Sequence, residues 1–207
     1  MDLNVCSACG VWSDTPSVLV TEAVIVCDRC GHRQAFLRLP LFALTGASGT
    51  GKSTAVTQLA DRLQDRVVVL EQDLLWVPEM QSATDDYRTF RCTWARLVAA
   101  IAQNGRPVLL AGTVLPGQLE ACVQRRFIGE IHYLALVCDE AELEARLRGR
   151  PAWREFGQER IDRMTEFNRW IEQHASTTKP PMTLLDITHV GADSTAASVR
   201  AWVLSHL

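Results

Sequence analysis

The chain has 207 residues, of which 47% are hydrophobic and 22% charged, so it can bury the core of one α/β domain with a small appendage. Its net charge of −3 gives no overall attraction to nucleic acid or to an anionic membrane. No apolar run reaches the roughly 20 residues that a transmembrane helix needs. The N-terminus also lacks a signal-peptide pattern, and these features predict a cytoplasmic protein without a membrane partner.

Four of the seven cysteines form two C-x-x-C pairs near the start of the chain: Cys6, Cys9, Cys27 and Cys30. The spacing between the pairs is typical of zinc sites. Four thiolates complete a closed tetrahedral shell, so we expect a structural Zn²⁺ and no ligand role for His32. The strand-like segment 18–26 between the pairs indicates a zinc ribbon. The other cysteines, Cys92, Cys122 and Cys138, are interpreted as packing residues.

The composition changes near residue 38, which predicts a zinc-ribbon module at 1–38 and a second domain at 39–207. The ribbon either packs against that domain and stabilises it, or binds a macromolecule. Local positive charges keep the second possibility open: Arg29, His32, Arg33 and Arg38. The overall acidity disfavours nucleic acid as the partner.

Beyond residue 38, short apolar runs alternate with helical patterns. The predicted strands are 41–45, 67–70, 108–111, 131–137 and 183–187. The predicted helices are 52–63, 88–103, 116–126, 139–150, 155–175 and 194–206, and Asp139 with Glu142 fits a capping box for the fourth of them. Such alternation predicts an α/β fold: a five-stranded parallel sheet with helices on both faces.

The first strand of this domain leads into a match to G-x-x-x-x-G-K-[ST] at every fixed position. The residues are Gly46, Ala47, Ser48, Gly49, Thr50, Gly51, Lys52 and Ser53, followed by Thr54. Such a loop aims backbone N–H groups and a helix N-terminus at phosphate oxygens. We therefore predict a nucleoside triphosphate site, with ATP as the ligand. Lys52 is expected to reach the β- and γ-phosphates, and the Ser53 hydroxyl to bind Mg²⁺.

The third strand, 108–111, is followed by Gly112 and Thr113. It lacks the aspartate that ATPases and GTPases normally keep at the end of such a strand. The chain also lacks a guanine-reading Asn/Thr-Lys-x-Asp motif. A GTPase is therefore disfavoured.

Two arginines after the fourth strand, Arg146 and Arg150, lie four residues apart and share one helix face. Arginine suits a transferring phosphate because its planar fork makes paired hydrogen bonds. Arg148 and Arg154 add positive charge nearby. A solvated basic helix end is the alternative interpretation.

Together, the P-loop, the third strand without aspartate and the L-x-x-R-L-x-x-R pattern resemble the nucleoside-monophosphate kinase superfamily, which includes shikimate and gluconate kinases. The resemblance covers about residues 39–207. It implies that Arg146 lies near adenine or phosphate and that Arg150 contacts the transferring group, both within a lid. Residues 151–154 leave room for a short lid. Zinc-bearing adenylate kinases keep their cysteines in the lid, whereas here they precede the P-loop.

In several of these kinases an acidic residue after the second strand meets the acceptor hydroxyl. Asp73 is the corresponding candidate for general base, with Glu71 second. The following segment contains a candidate aromatic slot and two candidate anion-binding arginines: Trp76, Tyr87, Phe90 and Trp94, with Arg88 and Arg91. Residues 112–116 are a candidate pocket wall, and 186–190 a candidate adenine side.

The leading hypothesis is an ATP- and Mg²⁺-dependent kinase that phosphorylates a hydroxyl of a small molecule, such as a nucleoside or nucleotide. Lys52, Arg146 and Arg150 would stabilise the charge in transfer, while Asp73 faces the acceptor. The same residues fit a kinase that modifies an antibiotic or a polynucleotide end. A nucleotide-gated binding module, whose zinc ribbon contacts RNA or a protein, is the alternative from another class.

Overall fold

The computed structural model describes residues 2–151 and 157–207. Five parallel strands form the central sheet in the order β5-β6-β4-β7-β8. Their bounds are Leu41–Gly46 (β4), Val68–Glu71 (β5), Val108–Ala111 (β6), Ile131–Val137 (β7) and Met182–Asp186 (β8). The predicted α/β class with a five-stranded parallel sheet is confirmed.

Helices cover both faces of this sheet. Their bounds are Lys52–Leu63 (α1), Arg88–Ala102 (α2), Pro116–Glu120 (α3), Glu140–Arg148 (α4), Gln158–His174 (α5) and Ala192–Ser205 (α6). Alternate residues of the central strand β4 enter different cores. Leu41 and Ala43 pack with α2 and α3, whereas Phe42 and Leu44 pack with α1, α4 and α6. Because β4 is buried on both faces, its sequence reads as a continuous apolar run.

The amino-terminal module is an antiparallel three-stranded sheet of β1 (Ser17–Leu19), β2 (Val24–Val26) and β3 (Arg33–Ala35). The predicted single strand over 18–26 is therefore wrong. A turn over 20–23 divides it into a hairpin, and Ala23 adopts a positive φ of 52°.

Two predicted helices also differ from the structure. The predicted helix 116–126 is α3 followed by a 3₁₀ turn at Val123–Phe127, because Cys122 between them is extended. The start of the predicted helix 155–175 lies outside the described residues, and α5 begins at Gln158.

Asp139 caps α4, since its side chain accepts hydrogen bonds from the backbone N–H groups of Ala141 and Glu142. The reciprocal half of the predicted capping box differs. The Asp139 N–H donates to the Thr188 hydroxyl, and the Glu142 carboxylate binds Arg146 instead. This exchange ties the start of α4 to the segment after β8.

The amino-terminal module and the central sheet with its helices share one hydrophobic core. Phe36 packs edge-on against Phe127 with ring centroids 5.4 Å apart. The Gln103 side chain exchanges two hydrogen bonds with the backbone of Leu37, and Arg38 donates to the carbonyl of Ile128. Since these residues precede β4 and β7 and follow α2, the module lies at the amino edge of the sheet.

The remaining cysteines pack in the interior, where Cys122 and Cys138 are buried and Cys92 is half-buried. The Sγ atoms of Cys92 and Cys122 lie 2.7 Å apart. None of the helices in the described part of the chain is long and apolar enough to cross a bilayer.

Candidate active site and metal centre

A cavity of about 400 Å³ lies at the carboxyl edge of the sheet, the edge at which open α/β sheets bind ligands. Its lining residues are Ser48, Gly49, Thr50, Gly51, Lys52, Ser53, Thr54, Glu71, Asp73, Ala111, Gly112, Thr113, Arg146, Arg150, Ile187, Val190, Ala192 and Thr195. The structure thus brings residues 48–53 of the P-loop, both candidate arginines and both candidate carboxylates to one cavity, whereas Gly46 and Ala47 do not line it.

Lys52 is the first residue of α1, and its side chain folds back into the P-loop. Its ammonium donates to the carbonyls of Gly46 and Ala47 at 2.8 and 2.9 Å. Burial lowers its pKa to about 8, against the opposing effect of Asp73. The residue as a whole is half-buried, but its charged end lies inside the loop. Because burial makes the Lys52 ammonium costly to keep charged, an anionic ligand beside it would stabilise the charged form.

The P-loop packs directly against α4. Gly49 has a φ of 98°, and a Cβ there would lie 2.8 Å from the Cδ1 atom of Leu143 and 3.1 Å from Leu147. Only a glycine allows both this backbone conformation and this close approach. The contact places the helix that carries the candidate arginines against the loop.

Arg146 is held at the side of the cavity near the end of β8. Its Nε atom donates to Glu142 at 2.9 Å, and one terminal nitrogen donates to the carbonyl of Ile187 at 3.4 Å. Arg150 lines the same cavity, and its charge contributes to lowering the pKa of Lys52. Two guanidinium groups therefore accompany the P-loop ammonium. Arg154, the other nearby arginine, lies outside the described residues.

The two candidate carboxylates lie at the end of β5, which is the strand at the opposite edge of the sheet from β8. Glu71 ends the strand, and Asp73 lies in the 3₁₀ turn Gln72–Leu75. Both act electrostatically on Lys52, and Asp73 does so more strongly. Asp73 is exposed to the cavity and therefore accessible to a ligand hydroxyl.

The wall after β6 depends on Gly112, because a Cβ there would lie 2.4 Å from the buried side chain of Gln72. Of the predicted wall 112–116, the cavity lining contains Gly112 and Thr113, whereas Val114 and Pro116 are buried. This close packing fixes the turn that presents Asp73.

Four small or apolar residues close the cavity beyond β8: Ile187, Val190, Ala192 and Thr195. Sequence reasoning indicated the segment 186–190 but missed Ala192 and Thr195. The small residues that follow Gly191 at the start of α6 were the available signal. In the same segment, Asp186 is a turn residue, since its carboxylate accepts a hydrogen bond from the N–H of Thr188.

The predicted aromatic slot is divided between the surface and the core. Trp76 contacts Tyr87 and Phe90 with ring centroids 5.3 and 5.1 Å apart. Trp94 is 2% exposed and donates its indole N–H to the carbonyl of Gln72, so it is a core residue. Among the arginines, Arg91 pairs with Asp86 at 3.0 Å, and Arg88 is exposed.

The cysteine quartet converges at one point of the amino-terminal module. The sulfur pairs Cys6–Cys30 and Cys9–Cys27 are each 3.7 Å apart, and all four sulfurs lie within 4.8 Å of one another. A tetrahedron with zinc–sulfur bonds of about 2.3 Å has edges of about 3.8 Å. The donor set and its dimensions therefore fit one zinc ion.

Each C-x-x-C pair is followed by a glycine that completes a tight turn. The N–H groups of Gly10 and Gly31 donate to the carbonyls of Cys6 and Cys27 at 2.9 and 2.8 Å. The N–H groups of Cys9 and Ala8 lower the pKa of Cys6, whereas, against a hydrogen bond from the backbone of His32, the thiols of Cys9, Cys27 and Cys6 raise the pKa of Cys30. The four thiols therefore act on one another, as expected of groups that share one site.

Residues 41–169, more than half of the chain, match the family model described as an AAA domain. The chain belongs to this AAA-domain family. No curated protein matches the chain.

Three solved structures illustrate the fold of this chain, each with a TM-score of 0.58. A gluconokinase from Sinorhizobium meliloti is 16% identical, over 78% of this chain and 90% of that one. A sugar kinase from Janibacter is 18% identical, over 80% and 94%. The tunicamycin resistance protein of Deinococcus radiodurans is 16% identical, over 80% and 96%. The predicted resemblance to small-molecule P-loop kinases is thus confirmed at the level of the fold.

Proposed function

We propose that this protein is an ATP- and Mg²⁺-dependent kinase that transfers the γ-phosphate to a hydroxyl of a small molecule. The observation that carries the proposal is the single cavity lined by Lys52, Arg146, Arg150 and Asp73. Cations for a polyphosphate and a carboxylate for a hydroxyl are the two groups that this transfer requires. The solved kinases with the same fold support this assignment.

On the nucleotide side, the loop 46–53 offers backbone N–H groups and the N-terminus of α1 to the phosphates. The Lys52 ammonium would exchange its two carbonyl partners for phosphate oxygens. Ser53 is exposed at the start of α1, where its hydroxyl would hold Mg²⁺. Bound Mg²⁺ would neutralise phosphate charge. Ile187 and Val190 would pack against the adenine, next to Arg146.

On the acceptor side, Asp73 would accept the proton of the attacking hydroxyl. The acceptor oxygen then forms a bond to the γ-phosphorus, and the bond from that phosphorus to the oxygen of the β-phosphate breaks. ADP leaves with the electron pair of the broken bond. Lys52, Arg146 and Arg150 would stabilise the negative charge that spreads over the transferring group.

We further propose that the cysteine quartet holds a structural Zn²⁺ and that the ribbon stabilises the P-loop domain. The shared core around Phe36 and Phe127 supports this role over nucleotide-gated binding. The ribbon lies at the amino edge of the sheet and the cavity at the carboxyl edge, so the cavity is built without it.

The test is ATP turnover with Mg²⁺ against a panel of nucleosides, nucleotides, sugars and antibiotics, with products identified by mass spectrometry. A product that gains one phosphate is the expected result. Asp73→Asn should abolish transfer and retain ATP binding, whereas Asp61→Asn, on the exposed side of α1, should leave transfer unchanged. Tight ATP binding without any product would overturn the proposal in favour of the nucleotide-gated module.

A further inference from the structure

Three large apolar side chains are exposed within four residues of each other directly after Asp73. Leu74, Trp76 and Val77 are 65%, 43% and 41% exposed, and we call them the apolar shelf. Single exposed apolar residues are ordinary, but three within four positions, directly after a residue that lines the cavity, indicate a binding surface. The segment 74–78 contains no polar side chain.

Trp76 is the part of the shelf that is fixed in place. Its ring leans against Tyr87 and meets the edge of Phe90, at the start of α2. The Gln81 side chain donates to its carbonyl at 3.2 Å. A ring that is supported from one side and exposed to solvent on the other is already positioned for stacking, so little conformational freedom is lost on binding.

Trp76 and Asp73 belong to the same turn. The Trp76 N–H donates to the carbonyl of Asp73 at 3.0 Å, the i-to-i+3 bond of a 3₁₀ turn. In such a turn, side chains three residues apart lie on one face and are separated by about 6 Å along the axis. Asp73 lines the cavity and Trp76 does not, so the indole lies on the same face of the turn as Asp73 but outside the cavity lining.

We propose that Trp76 is the stacking platform for a planar ring of the acceptor. The inference rests on the proposed kinase activity and names the class of its substrate: an alcohol that carries an aromatic or heteroaromatic ring, with its reactive hydroxyl at Asp73 and its ring on Trp76. Nucleosides and aryl alcohols belong to this class. Open-chain sugar acids lack a ring to stack and would meet the apolar shelf with hydroxyl groups that it cannot hydrogen-bond.

The kinetic test compares acceptors that share a hydroxyl-bearing part and differ in the ring, namely uridine against ribose and 2-phenylethanol against ethanol. Wild-type protein should phosphorylate the ring-bearing member of each pair with the higher kcat/KM. Trp76→Ala should raise the KM for that member about ten- to a hundred-fold with little change in kcat, as expected for a lost stacking contact. Trp76→Phe should restore most of the affinity.

Trp170→Ala is the matched control, because Trp170 is an exposed tryptophan of α5 and does not belong to the turn that carries Asp73. It should leave both kinetic constants unchanged. The KM for ribose should be the same in Trp76→Ala and wild type. An unchanged KM for ring-bearing acceptors in Trp76→Ala, or a preference of the wild type for gluconate, would overturn the platform while leaving the kinase intact.

A binding measurement separates failure of the platform from failure of the proposed function. Saturation-transfer NMR of uridine and 2-phenylethanol, with wild type and Trp76→Ala in the presence of a non-hydrolysable ATP analogue, reads ring contact without turnover. Ring signals that require Trp76, in a protein that forms no product, would retain the platform and reject the kinase. Equal signals in both proteins, or none in either, would reject the platform.

Discussion

The P-loop and the two cysteine knuckles, which are the C-x-x-C-Gly turns 6–10 and 27–31, all depend on glycines with positive φ, but their surroundings differ. A Cβ at Gly10 or Gly31 would meet nothing within 4 Å, whereas one at Gly49 would collide with Leu143. The knuckles are open turns on the surface of the ribbon, and their thiolates face one another. The P-loop is enclosed between the sheet and α4, and its polar groups face an open cavity.

From this difference we expect the amino edge to contribute mainly to stability and the carboxyl edge to ligand binding. At the amino edge, a Zn²⁺ held by the four cysteines would have no open coordination position, so we expect its binding free energy to stabilise the fold. At the carboxyl edge, Lys52 is buried beside carbonyls, and its lowered pKa reports the cost of keeping it charged. Such local cost is typical of sites that are completed by a ligand.

The largest effect is expected at the proposed zinc centre. Cys9→Ser removes one of four ligands, and we expect loss of zinc with a fall of about 4 kcal/mol or more in the free energy of unfolding. Binding of a structural zinc contributes about 10–16 kcal/mol in isolated peptides, which is as large as the whole stability of a domain. Urea denaturation and metal analysis by mass spectrometry measure both quantities.

His32→Ala is the control for the zinc centre, because His32 contacts Ser7 beside the cysteines and contributes no ligand to the quartet. It should retain zinc and unfold near the wild-type urea concentration. If Cys9→Ser had the same free energy of unfolding as His32→Ala, the cysteine quartet would not contribute the stability proposed for it.

The second prediction concerns the opposite edge. Lys52→Met should lower kcat about 10²–10³-fold, the usual loss when one preorganised group that stabilises a transition state is removed. The same substitution should leave the urea midpoint unchanged or raise it, because a costly buried charge disappears. Lys179→Met, which changes the exposed lysine before Pro180, should alter neither quantity. Destabilisation by Lys52→Met as large as that by Cys9→Ser would remove the distinction between the two edges.

The two sites also differ from the rest of the molecule in how far they could be predicted. The loop 46–53 and the cysteine quartet each require particular residue types at fixed spacing, so the sequence alone identifies them. The parallel sheet could also be predicted, because strands such as β4 and β7 are buried on both faces and read as apolar runs.

Other features were predicted only in part or not at all. The segment 186–190 was indicated as one side of the cavity, but Ala192 and Thr195 were missed, because small residues occur throughout the chain and only the tertiary fold brings these two to the cavity. The hairpin over 17–26 was missed because its turn at 20–23 contains neither glycine nor proline and depends on a positive φ at Ala23. Trp94 matches the spacing of an aromatic slot, but the rotation of α2 directs it into the core.

A third, smaller effect tests the enclosure of the P-loop. Gly49→Ala should lower the free energy of unfolding by about 1–3 kcal/mol, because the new methyl group must displace Leu143 from a packed interior at a φ that alanine rarely adopts. Gly117 lies at the start of α3, where an added Cβ would have no atom within 4 Å. Gly117→Ala should therefore be neutral or raise the free energy of unfolding by about 0.5–1 kcal/mol. Equal urea midpoints for the two variants would contradict the close packing of loop and helix.

The smallest expected effect is a proton taken up at the P-loop. The pKa of Lys52 lies below its unfolded value of 10.5, so the cost of its charge is present below about pH 8 and disappears as the pH rises towards 10.5. A bound triphosphate favours the ammonium and raises this pKa. ATP binding at pH 8.5 should therefore take up part of one proton, and the affinity should fall by up to about tenfold per pH unit above pH 8. Calorimetry in two buffers with different ionisation enthalpies measures the uptake. Lys52→Met should abolish it, and the same uptake in that variant would assign the proton to another group of the cavity.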